Sequence, residues 1–310
     1  MQAVLDAWEQ GTRRTLLVLP TGTGKTVVFA KLVAHIVGAG GRALILAHRG
    51  ELLQQAADKL AASTGLKCGV EQAEQTAVNT WFNVVLGSVQ TMQRQARRVD
   101  HDFTHIIVDE AHHAVSPSYR AILDEWPDAR VLGVTATADR GDKRSLGEVF
   151  ESVAFEYLLP QAVREGYLCR ILAQTIPLRI DLNGVRQSDG DLDFKQVAHA
   201  IDPYLERIAA SVREVAGARK SVAFLPLCVT AQKFREHLRA VGLRAYYASG
   251  DDRSELPAYI ADGPGAVLCN AMLLNEGWDH PQVDCVIPLR PTKIRSLYAQ
   301  MVGRGTRLYP

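Results

Sequence analysis

Leu16-Leu17-Val18-Leu19-Pro20-Thr21-Gly22-Thr23-Gly24-Lys25-Thr26, continued by Val27-Val28-Phe29-Ala30-Lys31-Leu32-Val33, is the stretch on which the fold turns. The run Leu16–Leu19 suits a buried strand, the glycine-threonine segment a tight turn, and the apolar stretch after it a helix. Such a junction is a cradle for a polyphosphate. Gly22 and Gly24 let the backbone approach closely, and the helix N-terminus offers amides and partial positive charge to the anion. Thr21, Gly22, Thr23 and Gly24 would wrap the phosphates of ATP, Lys25 would reach the β and γ phosphates, and the Thr26 hydroxyl would ligate a magnesium ion. The general phosphate-loop pattern has a glycine where this chain has Leu19, and an idle glycine turn is the alternative reading of the loop taken alone.

A second segment removes most of that ambiguity. His105-Ile106-Ile107-Val108 is a short run rich in β-branched residues that delivers Asp109 and Glu110 to a strand end, the edge of a doubly wound sheet where ligands sit. There Asp109 would hold the magnesium ion, largely through water, and Glu110 would orient and deprotonate an attacking water. A solvated acidic turn is the bland alternative, and it leaves the pairing with the lysine loop unexplained. Together the two segments predict hydrolysis of ATP.

Length and composition set the frame. With 310 residues, of which 47% are hydrophobic, the chain can bury a large core and is long enough for two domains. Its 35 basic and 34 acidic residues give a net charge of +1, which neither demands nor excludes nucleic acid, so any binding groove must come from local placement. Cys68, Cys169, Cys228, Cys269 and Cys285 show no Cys-x-x-Cys spacing, and adjacent His112-His113 side chains diverge; the expectation is reduced thiols and no metal site of that kind. No stretch has the length of a membrane span and the N-terminus lacks a signal-peptide pattern, so a soluble cytoplasmic protein is expected.

Further apolar runs at 43–47, 84–87 and 131–134 alternate with helical stretches at 50–63 and 117–126. The alternation then recurs: helix 203–216, strand 221–225, helix 230–241, strands 244–248, 266–270 and 283–287, helix 296–302. The reading is α/β, with a parallel-sheet domain at 1–160 and a second at 161–310; a single large α/β domain is the alternative. A polar stretch at 178–200 reads as an inserted loop or hairpin opening the second half.

In this order the segments resemble the motifs of superfamily 2 DEAD/DEAH-box helicases, and within them the bacterial and phage branch of RadD-like and XPB-like proteins and type I restriction motors. Pro20–Thr26 looks like motif I, Ala47-His48-Arg49 with Glu51-Leu52 like motif Ia, Gly87–Thr91 like the next contact motif, and Asp109-Glu110-Ala111-His112 spells motif II. Thr135-Ala136-Thr137 is similar to motif III, Val222–Leu225 leading to Thr230 and Phe234 to motif IV, and Leu274–Pro281 to motif V. Gln300-Met301-Val302-Gly303-Arg304-Gly305-Thr306-Arg307 looks like motif VI.

The resemblance implies two tandem RecA-like parallel-sheet domains with the nucleotide cleft between them. Arg304 and Arg307 would be arginine fingers, joining Glu110 and Lys25 in catalysis. Gly277 and Asp279 would assist in binding the nucleotide. His112, Thr135, Thr137 and Gln300 would couple ATP to nucleic acid, although a surface histidine and helix-capping hydroxyls are the plain alternatives. Arg49, Gln90, Thr91 and Asn270 would grip backbone phosphates without specifying sequence, Arg49 being the best of them and the others open to reading as strand-end caps. Trp278 would stack on a base or fill the core, the core being favoured.

The implied activity is that of an ATP-dependent helicase or translocase acting on DNA rather than RNA. A non-hydrolysing ATP-dependent clamp, a restriction-enzyme motor fragment and a small-molecule kinase are the competing readings. The chain departs from the family in reducing the upstream adenine-reading motif to the neighbourhood of Gln2, and in carrying Asn275 and Trp278 in motif V. The expectation is a motor core cut after motif VI, with accessory domains or subunits outside it.

Overall fold

Apolar residues on both sides of a strand produce an unbroken hydrophobic run, and the first unit is built from such runs. The computed structural model describes residues 1–47, 50–137, 146–188, 190–271, 278 and 280–309, with the side chains of 50–52, 55 and 188 excepted. Packing divides the chain into Met1–Ala162 and Val163–Pro310.

In the first unit, strands β1 (Arg14–Val18), β2 (Ala43–Ala47), β3 (Gly69–Glu71), β4 (Val84–Ser88), β5 (His105–Asp109), β6 (Arg130–Thr135) and β7 (Ser152–Glu156) form one seven-stranded sheet in the order β3-β4-β2-β5-β6-β1-β7. Its strand pairs run parallel. Alternate side chains feed two cores, one on each face. Leu16, Leu44, Leu46, Ile106 and Val108 pack with Phe103, Tyr119, Ile122 and Trp126, whereas Leu17, Ile45, Ile107 and Leu132 pack with Phe29, Val33 and Ile36 of the helix Lys25–Gly38.

Edge strands β3 and β7 fall outside the runs marked in the sequence. β7 leaves Val153 and Phe155 exposed, and β3 is three residues long with a glycine and a glutamate, so neither carries a doubly apolar pattern.

The second unit has a four-stranded parallel sheet, β11-β12-β10-β13, from β10 (Ser221–Phe224), β11 (Arg244–Ala248), β12 (Ala266–Asn270) and β13 (Cys285–Pro288). It too is covered on both faces, Ala223, Tyr247 and Val267 lying in one core and Phe224, Tyr259 and Leu268 in the other. The polar stretch expected to be a loop or hairpin contains the antiparallel pair β8 (Gln187–Ser188) and β9 (Asp191–Leu192), followed by a helix Phe194–Ile201 capped by Asp193. Among the described residues no helix is long and apolar enough to cross a membrane.

Candidate active site

Sheet register assembles the motifs of the first unit. Val18 pairs with Thr135, Val134 with Asp109, Leu46 with Val108 and Ala47 with Ser88, so the segments that follow β1, β6, β5, β2 and β4 emerge side by side at one edge. This is the carboxyl edge, where a parallel sheet binds its ligands.

After β1 the chain turns tightly. The Thr23 hydroxyl and amide both donate to the Pro20 carbonyl, at 2.8 and 3.3 Å, which folds the loop back on itself. Gly22 and Gly24 have φ of +91° and +84°, a region open to glycine and strained for side chains with a Cβ. The helix begins at Lys25, with Val27 and Val28 donating to the Gly24 carbonyl. The first amides of a helix have no partner within it, so the turn presents donors and dipole toward the space above the loop. Thr26 sits in this first turn, half-buried.

Lys25 Nζ lies 3.9 Å from Glu110 Oε1, with both side chains largely shielded. The other oxygen, Glu110 Oε2, is 3.5 Å from His112 Nδ1, and the His112 and His113 rings, expected to diverge, stand 4.1 Å apart in a tilted contact where the short 3-10 turn brings neighbouring side chains together. Glu110 adopts a left-handed conformation, φ 49° and ψ 55°, which costs a side chain on the order of 1–2 kcal/mol. The Asp109 carboxylate offsets part of that by accepting the Glu110 amide at 3.0 Å. Strain of this kind is concentrated at sites where a side chain must face a ligand. Behind them, Thr135 is fully buried, donates to the Thr137 carbonyl at 3.0 Å and accepts the Leu19 amide on its own carbonyl at 3.0 Å, tying the β6 end to the loop.

Thus Thr21, Gly22, Thr23, Gly24, Lys25, Thr26, Asp109, Glu110, His112, Thr135 and Thr137 share one edge of the first unit. The donor set suits a magnesium nucleotide: glycine-formed amides and a lysine for phosphate, a threonine hydroxyl and an aspartate for the metal.

Other expected residues have different fates. Thr91 is buried and its hydroxyl oxygen accepts from the Ala73 amide at 3.0 Å and the Ser88 hydroxyl at 2.9 Å, while its amide donates to Ser88 Oγ; it closes the turn Val89–Met92. Asn270 is fully buried, its amide donating to the Ala223 carbonyl at 2.9 Å across the β10–β12 pair. Both side chains are buried and brace strand ends, while Asn270 Oδ1 has no hydrogen-bond partner among the described residues. Gln90 is exposed. Arg49, Gly277 and Asp279 lie outside the described residues.

In the second unit Gln300 and Arg304 are buried and Arg307 is half-buried. Arg304 donates to the Trp278 carbonyl, and desolvation pulls the Arg307 guanidinium below its ordinary pKa. Trp278 packs beside Tyr259 and His280, on the core side of its two readings.

Sequence reading places Ser88 within the contact motif Gly87–Thr91 without a role for its side chain, and gives none to Glu71. A serine directly before a short helix is an N-cap signal that marks the first. Glu71 is completely buried and accepts from Thr76, Ala77 and Arg97, with His101 Nε2 3.2 Å away; only the fold gathers those partners.

Residues 1–140 match the family described as "Type III restriction enzyme, res subunit". "Putative ATP-dependent helicase IRC3" of Saccharomyces cerevisiae is 28% identical over 333 residues, covering 100% of this chain and 48% of the yeast protein. "DNA 3'-5' translocase XPB2" of Sulfurisphaera tokodaii is 28% identical, covering 98% of this chain and 76% of that one. Along nearly its whole length the chain is similar to proteins named as ATP-dependent helicases and translocases. Its fold is shared with a fragment of "a putative HsdR subunit of a type I restriction enzyme" from Vibrio vulnificus, with a TM-score of 0.76 at 20% identity over 99% of this chain and 59% of that one. The solved structures that share this fold are RecA-like, and both parallel-sheet units here are of that kind. The chain spans about half the length of the yeast relative.

Proposed function

We propose that this chain is the motor core of an ATP-dependent nucleic-acid helicase or translocase that works on DNA. The observation that carries the reading is the meeting of Lys25 and Glu110, at 3.9 Å, on the strand edge that also carries Asp109 and the glycine loop.

Lys25 and the amides of the loop bind and orient the β and γ phosphates. Asp109 and Thr26 would hold a magnesium ion, which when bound supplies positive charge to the phosphate oxygens. Glu110 orients a water and accepts its proton, and His112, 3.5 Å from the same carboxylate, is placed to sense whether Glu110 is engaged. Arg304 and Arg307 supply cationic charge to the transferring phosphate, and Gly277 and Asp279 assist in binding the nucleotide. Thr135, Thr137 and Gln300 couple this chemistry to the nucleic acid.

DNA is favoured as track because one relative spanning nearly all of this chain is named a DNA translocase. Contacts to backbone phosphates, with Arg49 and Gln90 as candidates, give grip without sequence preference.

The test is phosphate release from ATP by the purified chain with single-stranded DNA, duplex DNA or RNA, beside Lys25→Ala and Glu110→Gln. Stimulation by DNA that both variants abolish supports the motor. Tight ATP binding without turnover under every condition would replace it with a non-hydrolysing clamp, and stimulation by RNA alone would replace the track.

A further inference from the structure

One buried carboxylate in the second unit has no part in the site above. Asp191 of β9 is 3% exposed. Its Oδ1 accepts the amides of Leu192 and Lys293, at 2.9 and 2.8 Å, and its Oδ2 accepts the Thr292 hydroxyl at 2.8 Å. The guanidinium of Arg290, equally buried, lies 3.9 Å from Oδ2 and sits over the Phe194 ring. A carboxylate is withdrawn from water only where donors converge on it, so this cluster fixes the 290–294 loop against the hairpin.

That loop is the entrance to the helix Arg295–Val302, which leads into Arg304. Thr292, while donating to Asp191, accepts the Ile294 amide at 3.0 Å, and Ile294 is the residue before the helix. At the far end the Cys169 amide donates to the Thr306 carbonyl at 2.8 Å and its thiol to the Gly305 carbonyl at 3.3 Å. Gly305 has no room for a side chain, since a Cβ there would lie 2.9 Å from Val286 Cγ2 of β13. The piece carrying Gln300, Arg304 and Arg307 is therefore gripped at both ends from the 169–191 segment.

The lever is sensitive. A helix of eight residues is about 12 Å long, so a tilt of about 5° at its start moves its end by about 1 Å. A displacement of that size at a group acting on the transition state costs on the order of 10²-fold in rate. We propose that Asp191 is a positioning residue for Arg304 and Arg307, acting through Thr292 on the start of their helix, with Cys169 as the second anchor. This rests on the role given to the two arginines above.

The test measures kcat and KM for ATP, with stimulating DNA, for Asp191→Asn, Thr292→Val, Cys169→Ala and Cys169→Ser, beside Arg304→Ala and with thermal melting of each. Asp191→Asn and Thr292→Val are expected to lower kcat on the order of tenfold or more with KM within about twofold, at temperatures where melting shows a folded protein. Cys169→Ser, which keeps a donor, is expected to retain most of the turnover that Cys169→Ala loses. Wild-type kcat in folded Asp191→Asn and Thr292→Val, or a rise in KM alone, overturns the positioning role. Should Asp191→Asn not fold, Thr292→Val decides, because it keeps the carboxylate and removes one of its donors. Arg304→Ala is the separate control: full turnover in that variant overturns the arginine reading itself, whereas its loss beside normal Asp191 and Thr292 variants overturns only the positioning.

Discussion

Lys25 Nζ faces Glu110 Oε1 at 3.9 Å because two strand ends separated by one intervening strand present them at the same edge. β6 stands between β1 and β5, and its pairings Val18↔Thr135 and Val134↔Asp109 fix the register on either side. The ion pair is thus a property of the sheet. Each partner is pre-set by its own backbone, the lysine by a glycine turn and the glutamate by a left-handed residue.

Glu110→Gln keeps the shape of the side chain and removes the proton acceptor. Turnover should fall on the order of 10²–10⁴-fold while ATP affinity stays within a few-fold. Lys25→Ala should instead weaken nucleotide binding as well. Phosphate release and nucleotide titration separate the two; loss of binding to the same degree in both variants would contradict the assignment of Glu110 to the water.

Glu71 is a fully buried carboxyl group of the first unit. Removing it leaves Arg97 and His101 without their shared acceptor and frees Thr76 and the Ala77 amide, so Glu71→Ala should cost about 3–5 kcal/mol. Glu71→Gln, which keeps an acceptor for the last two, should cost less. Urea unfolding of both variants checks this, and equal midpoints for Glu71→Ala and the parent would contradict it.

The parts of this fold that the sequence makes legible are those that satisfy themselves locally. Ile106, Ile107 and Val108 alternate between two cores, so their run is apolar whatever lies around it, and the glycine loop and the Asp109-Glu110 pair follow directly from strand ends. β7 is different: at the sheet edge its residues face water on alternate positions, and its pattern has no unbroken run. Polar residues at strand ends are harder still. Thr91 and Asn270 stand where a ligand contact or a cap fits the sequence equally well, and the partners that brace them, Ala73 and Ala223, come from distant positions. Asp191 has the same character, since its acceptor role depends on Thr292 and Lys293, 101 and 102 residues further along the chain.

His105 opens β5 opposite Arg130, with which it pairs in register. Desolvation first, then the charges of Arg130 and His35, lower its pKa from 6.5 to about 4. The folded state therefore resists protonation that the unfolded chain accepts below pH 6.5. Stability should be flat above that pH and fall as the pH drops toward 4, by about 1–2 kcal/mol once solvent screening is allowed for. His105→Gln should flatten that part of the profile. Chemical denaturation at a series of pH values measures it, and an unchanged slope in the variant would assign the effect elsewhere.

Asn270 and Gln90 separate bracing from gripping. Asn270→Ala removes the donor to the Ala223 carbonyl in a closed interior and should lower stability by about 1–3 kcal/mol, with Asn270→Asp worse because it buries a charge. Once folded, Asn270→Ala should bind DNA as the parent does. Gln90 is exposed beside the Ser88–Thr91 cap, so Gln90→Ala should leave the melting temperature in place and weaken DNA binding by about two- to tenfold, the worth of one hydrogen bond. Binding isotherms and melts on the same preparations give both quantities. The crossed result, with Asn270→Ala weak in binding and normal in melting, would mean that the second sheet opens this asparagine to the nucleic acid, a rearrangement of β10 and β12 that their shared hydrogen bond opposes.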